Sequence, residues 1–263
     1  MLGAIIGDVI GSVYEFGSEK TKDFCFFEPG CRATDDSVLT VCVGCACAEA
    51  DCSDEDSFKE TLKEKMYEIA RLYPDAGYGK MFYMWLMEDD APAYNGYTNG
   101  AAMRVSPCAW AADTLQDAEK LAKWSAEITH DHPEGIKGAQ AVAAAIFMAR
   151  TGRNKEEIRK YIENNYYNLD FTIEDIRPGY SYDLTCEGSV PQAIVSFLDA
   201  EDYEDAIRNA ISLGGDGDTQ AAIAGSIAEA FFGIPQELEE EVFKYLDEDL
   251  AEYYFGYADY LYR

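Results

Sequence analysis

Gly214-Gly215-Asp216-Gly217-Asp218-Thr219 stands directly before an apolar, alanine-rich segment, Ala221 to Phe232. Within these six residues are two carboxylates, a hydroxyl and three glycines. Glycine lets the backbone turn tightly and come close to a bound ion. Asp216, Asp218 and Thr219 are hard oxygen donors, which suit magnesium, manganese or calcium rather than zinc or copper. Alone, the stretch is equally a glycine turn followed by an Asp/Thr helix cap. A second stretch shifts that balance. Thr34-Asp35-Asp36-Ser37 also precedes an apolar segment, Val38 to Ala50, so the same donor types open two separate helices. Carboxylates brought together repel one another, and a pair of divalent cations removes that cost.

Helical periodicity extends over most of the chain. Helices are predicted over Asp36–Ala50, Asp56–Tyr73, Gly100–Ala112, Leu115–Ile128, Pro133–Arg150, Lys155–Asn165, Pro191–Asp199, Tyr203–Leu213, Asp218–Phe232 and Pro235–Tyr253. Three of these open on proline, whose missing N–H has no partner in a first helical turn anyway. β-like material is confined to short pieces such as Phe24–Glu28. The expected fold is all-α, one compact multi-helix domain over residues 1–263, with no internal repeat and no linker. The tail carrying Tyr253, Tyr254, Tyr257, Tyr260 and Tyr262 is read as a final packing helix or a subunit contact.

Composition narrows the function. With 263 residues and 48% hydrophobic content the chain can bury a full core. Its formal charge of −29, from 50 acidic against 21 basic residues, argues against a nucleic acid partner. An anionic substrate therefore needs a local cation. The first ten residues are apolar but contain Asp8 and carry no basic leader, unlike a signal peptide. No uncharged run is long enough to cross a bilayer, and a cytoplasmic location is expected. Among eight cysteines, Cys42, Cys45 and Cys52 are placed on one helical face and Cys47 on the other, with packing as their role.

The remaining candidates lie at helix ends. Gly7-Asp8-Val9-Ile10-Gly11 reads as a first helix packed closely against others, with Glu15 at its end. Its glycine spacing is not that of a dinucleotide fingerprint. Asn99-Gly100-Ala101-Ala102-Met103-Arg104 combines an amide and a guanidinium with small residues that admit a ligand to the backbone. Both histidines fall in Thr129-His130-Asp131-His132-Pro133 before a helix whose N-terminus can hold a phosphate; a capping pair is the alternative. Tyr180-Ser181-Tyr182 offers rings that could stack on a base.

In this order the motifs resemble the ADP-ribosylglycohydrolase family, nearly end to end. The residues carrying the resemblance are Gly7-Asp8 through Glu15, Thr34-Asp35-Asp36, Asn99 to Arg104, Thr129-His130 and Gly214 to Thr219. The Thr-Asp-Asp and Gly-Gly-Asp-x-Asp-Thr pair is its specific part. The resemblance implies an all-α fold whose cleft holds two divalent cations, magnesium or manganese, ligated by Thr34, Asp35, Asp36, Asp216, Asp218 and Thr219. It makes Glu15 a mobile carboxylate near the metals and sets Asn99, Gly100, Ala101, Met103, Arg104 and His130 around the diphosphate and ribose of ADP-ribose. Tyr182 becomes the ring against adenine.

The implied reaction is hydrolysis of the glycosidic bond between ADP-ribose and a modified protein or small molecule. Asp35, Asp36 or Glu15 would serve as general base. The chain looks shorter than vertebrate members, which leaves the acceptor open among arginine, serine, an acetyl ester, a base and a metabolite. Oligomeric state is not readable. Two other functions remain on the same residues: a two-metal phosphohydrolase acting on a nucleotide diphosphate, and a non-catalytic ADP-ribose-binding or structural protein.

Overall fold

A computed structural model describes residues 1–17 and 20–261, so Tyr262 lies outside the described residues. The described chain is helical and has no strand; Phe24–Glu28 is turn and coil, and the only β pairing is an isolated bridge between Thr98 and Thr185. The helices are α1 Leu2–Gly11, α2 Asp35–Glu49, α3 Glu55–Ile69, α4 Lys80–Met87, α5 Ser106–Ala111, α6 Leu115–Glu127 and α7 Pro133–Arg150. They continue with α8 Lys155–Asn165, α9 Ile173–Ile176, α10 Cys186–Leu198, α11 Tyr203–Ile211, α12 Gly217–Phe232, α13 Gln236–Val242 and α14 Glu248–Leu261.

Three predicted segments differ most from the structure. Asn99–Ala101 forms a single 3-10 turn, and α5 starts only at Ser106, so the Asn99-to-Arg104 stretch is a loop. α10 begins at Cys186, capped by Thr185, and carries Pro191 inside it rather than at its start. Pro235 precedes α13 as its N-cap, leaving Pro133 as the proline that opens a helix as predicted. The last predicted helix divides at Phe243–Tyr245 into α13 and α14. Two helices, α4 and α9, fall where none was predicted. In α4 the sequence Lys-Met-Phe-Tyr-Met-Trp-Leu-Met is apolar around its whole circumference, so no period stands out.

The cysteine expectation also changes. α2 ends at Glu49, so Cys52 leaves the helix and turns back, its thiol facing the Cys47 carbonyl oxygen at 3.5 Å. The described cysteines are all free, and those of α2 are buried packing groups.

α1 and α12 are buried along nearly their full lengths and form the centre of the molecule. Gly3, Gly7 and Gly11 recur every fourth residue and so share one face of α1. A Cβ at Gly7 would lie 2.1 Å from the Ala221 carbonyl oxygen, and one at Gly11 would lie 2.4 Å from the Asp218 Cα. The two backbones therefore touch, and that contact offsets the intrinsic cost of glycine inside a helix. Around this pair pack α2, α7, α10 and α11, and α14 lies across α2 with Tyr257 buried.

Substituting Gly7→Ala is expected to cost about 2 kcal/mol through overpacking, a fall in melting temperature of about 5 °C for a chain of this length. Scanning calorimetry checks this; an unchanged melting temperature would mean that α1 and α12 can separate without loss.

Candidate active site and metal centre

Asp8 lies on α1 and is fully buried. Its Oδ2 accepts the backbone N–H groups of Thr34 at 2.9 Å and Ser37 at 3.1 Å, and its Oδ1 accepts the Thr34 hydroxyl at 2.5 Å. The Ser37 hydroxyl donates to the same carboxylate. These bonds satisfy the N–H groups of the cap residue Thr34 and of Ser37, and hold the first turn of α2 against α1. Thr34 is the N-cap of α2 and accepts the Asp36 N–H. The Asp35 N–H donates to the Ala76 carbonyl at 3.1 Å, which ties the loop before α4 to the same corner.

The second half of the site comes from the start of α12. Gly214, at φ +60°, takes the left-handed conformation that lets the chain turn from α11 into α12. Asp216 stands at the N-cap without a side-chain capping bond, so its carboxylate is available to other groups. One oxygen accepts the Asn99 amide N–H at 2.6 Å, which brings the 3-10 turn into the site. The Thr219 hydroxyl donates to Asp36 at 3.3 Å across the gap between α12 and α2.

The carboxylates gather into two groups that share one member. Asp8, Asp36 and Asp218 offer oxygens within 4.8 Å of one another, as do Glu15, Asp216 and Asp218. Burial raises Asp36, Asp35 and Asp218 well above the usual carboxylate range, and neighbouring carboxylates add to the rise. Burial and the nearby Asp218 push Glu15 up to about 7, against the pull of Arg32; burial raises Asp216 to about 6 even though Asn99 and Asp218 hydrogen-bond to it. The Asp36 Oδ1 is buried with no hydrogen-bond partner. A buried, unpaired oxygen among repelling carboxylates fits a divalent cation, and all the donors are hard oxygens.

Of these carboxylates, Glu15, Asp36, Asp216 and Asp218 line the floor of a cavity of about 560 Å³, and Asp8 lies behind them. Of the ligands named from the sequence, Asp35, Asp36, Asp216, Asp218 and Thr219 line it. Thr34 lies behind them with its hydroxyl given to Asp8. Glu15, Asn99, Gly100, Met103, Arg104, His130 and Tyr182 also line the cavity, whereas Ala101 is buried in the core and does not.

The roles of several residues follow from their surroundings. His130 is buried, with Nε2 at 2.9 Å from the Thr98 hydroxyl and Nδ1 at 2.9 Å from the Thr129 hydroxyl. Burial and the nearby Arg104 lower its pKa well below the ordinary histidine value. A neutral ring with both nitrogens engaged shapes the wall and brings no positive charge to a phosphate. His132 caps α7, accepting the Glu134 N–H at 3.1 Å, as the capping alternative expects. Tyr180 is also structural: its hydroxyl accepts from Gln220 and donates to the Gly188 carbonyl, each at 2.6 Å. Tyr182 stays exposed at the mouth, its ring 5.9 Å from that of Phe16.

Three residues of the site have little local signal in the sequence. Asp8 stands among the spaced glycines of the first helix, yet it organises the first turn of α2. Tyr97 and Lys80 line the cavity from segments given no role. The one available signal for Lys80 was a basic residue beside two glycines in a strongly acidic chain.

Replacing Asp8 with asparagine removes a charge-assisted acceptor behind the candidate ligands, and divalent cation affinity is expected to fall 10–100-fold, as is typical for groups that orient ligands. Titration calorimetry with magnesium or manganese checks this. The raised carboxyls predict a pH effect as well. A carboxyl with a folded pKa above its unfolded value contributes stability below the unfolded value, and that contribution is lost as pH rises through the folded one. Chelator-treated protein is thus expected to melt at lower temperature as pH rises from 4.5 through about 7, the window set by Glu15, with added divalent cation restoring more at the upper end. A melting temperature indifferent to cation at pH 7.5 would count against this account of the cluster.

Comparison with known proteins agrees with this architecture. The family model described as ADP-ribosylglycohydrolase matches residues 1–263. The chain is 28% identical to ADP-ribosylhydrolase ARH3 of Gallus gallus over 316 residues, covering 90% of this chain and 85% of the relative. It is 26% identical to the ADP-ribosylhydrolase ARH3 of Homo sapiens over 320 residues, with the same coverage of both chains. It is also 25% identical to the ADP-ribosyl-(dinitrogen reductase) glycohydrolase of Rhodospirillum rubrum, covering 89% of this chain and 84% of that one. A solved structure titled ADP-ribosylglycohydrolase-related protein complex superposes with a TM-score of 0.66 at 20% identity, covering 96% of this chain and 94% of the other, a likeness of fold. With a family model matched along its whole length, the chain belongs to the ADP-ribosylglycohydrolase family.

Proposed function

We propose that this protein is a divalent-metal-dependent hydrolase that cleaves the glycosidic bond between ADP-ribose and an acceptor and releases ADP-ribose. The observation that carries the proposal is the pair of carboxylate groups sharing Asp218 at the floor of the cavity, in a chain whose relatives are named ADP-ribosylhydrolases.

Asp35, Asp36, Asp216, Asp218 and Thr219 are the proposed ligands of two cations, magnesium or manganese, with Thr34 holding the Asp36 backbone in place. When bound, the cations supply Lewis acidity at the distal ribose and orient its hydroxyls. The reaction adds the oxygen of a water to the anomeric carbon while the bond from that carbon to the acceptor breaks, through an oxocarbenium-like transition state. One proton of the water passes to a carboxylate and one proton is delivered to the departing acceptor. Glu15 is the best placed of the three candidate bases: it is half-buried beside Asp216 and Asp218, and burial with the nearby Asp218 raises it to about 7, whereas Asp35 and Asp36 sit at the start of α2 among the ligands. Asn99 orients Asp216, and the neutral His130 supports the Gly96-to-Gly100 wall. Arg104, buried and donating to Ser125 and Thr129, holds this wall to the end of α6. Tyr182 is the proposed ring against adenine.

Incubation with ADP-ribosylated arginine, serine, an acetyl ester and a nucleobase, with and without chelator, tests the proposal by mass spectrometry of the products. Chelator-sensitive release of intact ADP-ribose from one of them is expected, and Asp218→Ala is expected to abolish it while keeping a helical far-ultraviolet spectrum. Release of AMP would instead identify a phosphohydrolase. Binding of ADP-ribose without turnover of any substrate would identify a binding protein.

A further inference from the structure

The cavity presents an electrostatic problem that its established residues leave unsolved. Its lining carboxylates are Glu15, Asp35, Asp36, Asp216 and Asp218, so two divalent cations leave one negative charge over. A diphosphate is an anion and is repelled by that wall unless cationic side chains face it. Burial and Arg104 hold His130 away from its protonated form, which leaves Arg104 and Lys80 as the cationic groups lining the cavity among the described residues.

Lys80 is the first residue of α4, follows Gly79 at the N-cap, and is exposed. A cation at the positive end of a helix is unfavourable for the helix itself. α4 also has no side-chain cap, so its first N–H groups are not claimed by a capping group. Most lysines of the chain close ion pairs, as Lys59, Lys65 and Lys137 do. Lys80 forms none among the described residues, nor do Lys20, Lys155 and Lys160, but of these four only Lys80 lines the cavity. Helix stability does not account for a lysine at this end of α4.

The other lining cation, Arg104, is held inside the wall, which leaves Lys80 as the exposed one of the two. Arg104 is fully buried, yet its Nε and Nη1 have no hydrogen-bond partner; only Nη2 is engaged, with Ser125 and Thr129. Buried guanidinium donors without an acceptor are costly unless a ligand or water supplies one.

We propose that Lys80, together with the open N-terminus of α4, is the specificity-determining cation that holds the diphosphate of the substrate against the acidic floor. The inference rests on the preceding reading of the substrate as an ADP-ribosyl compound. It assigns Lys80 a positioning role: the ammonium contacts the diphosphate and takes no part in proton transfer at the distal ribose.

Calorimetric titration of the magnesium-loaded protein with ADP-ribose, and separately with adenosine, tests this in wild type, Lys80→Met and Lys80→Arg. The side chain is exposed, so neither substitution disturbs the core. Loss of one partly solvated charge-assisted contact is expected to weaken ADP-ribose binding about tenfold in Lys80→Met, while Lys80→Arg stays close to wild type. Adenosine, which lacks phosphate, is expected to bind all three alike. In turnover, Lys80→Met is expected to raise KM and leave kcat unchanged. Unchanged ADP-ribose affinity in Lys80→Met overturns the role given to the lysine, and so does a loss that affects adenosine equally. An effect confined to the KM of an ADP-ribosylated protein, with free ADP-ribose unaffected, would assign the lysine to the acceptor and also overturn it. A wild-type protein that does not bind ADP-ribose overturns the substrate reading itself.

Discussion

The site depends on one buried carboxylate. Asp8 accepts two N–H groups and two hydroxyls from Thr34 and Ser37, and that exchange fixes where α2 begins relative to α1. α1 is in turn set against α12 by a seam so close that a single Cβ would collide with backbone. Two contacts of different kinds, a hydrogen-bonded carboxylate and a side-chain-free helix crossing, thus bring Asp36 and Asp218 together from positions 182 residues apart. Carboxylates would not gather there on their own account, because burial and mutual repulsion both oppose it. The packing of the surrounding apolar helices holds them in place.

The cavity is polarised as a consequence. Its floor is acidic and made of helix N-termini and the turns before them, while its mouth carries exposed rings and apolar chains, Phe16, Tyr97, Tyr182, Met81 and Leu184. Hard oxygen donors at the floor suit cations, and rings at the mouth suit a flat, aromatic part of a ligand. Between them the wall consists of neutral His130, the Asn99 turn and the start of α4.

The fold class and the floor of the site were legible because both are written locally. Periods of 3.6 residues announce helices such as α7 and α8, whose ends agree with the sequence reading, and the two acidic turns announce themselves by composition. The boundaries that went astray have tertiary causes. Asn99 to Arg104 is drawn out of helix by the amide bond from Asn99 to Asp216 and by the backbone bond from its N–H to the Leu184 carbonyl at 2.8 Å. Cys52 leaves the face assigned to it because α2 stops at Glu49. Tyr180 and Ala101 carry residue types that fit a site, yet the Tyr180 hydroxyl is taken by Gln220 and Gly188 and Ala101 is buried in the core.

The sequence by itself determined that this chain is helical, that its acidic hydroxyl-bearing turns open two of its helices, and that the whole length matches one family pattern, since each of these depends on residues near one another in the chain. Tertiary structure alone decided that Asp8 supports the site, that His130 is neutral and Glu15 is not an ordinary surface carboxylate, and that Lys80 faces the cavity. Those properties arise from burial and from the charges that distant segments bring within a few ångströms, and no local pattern encodes either.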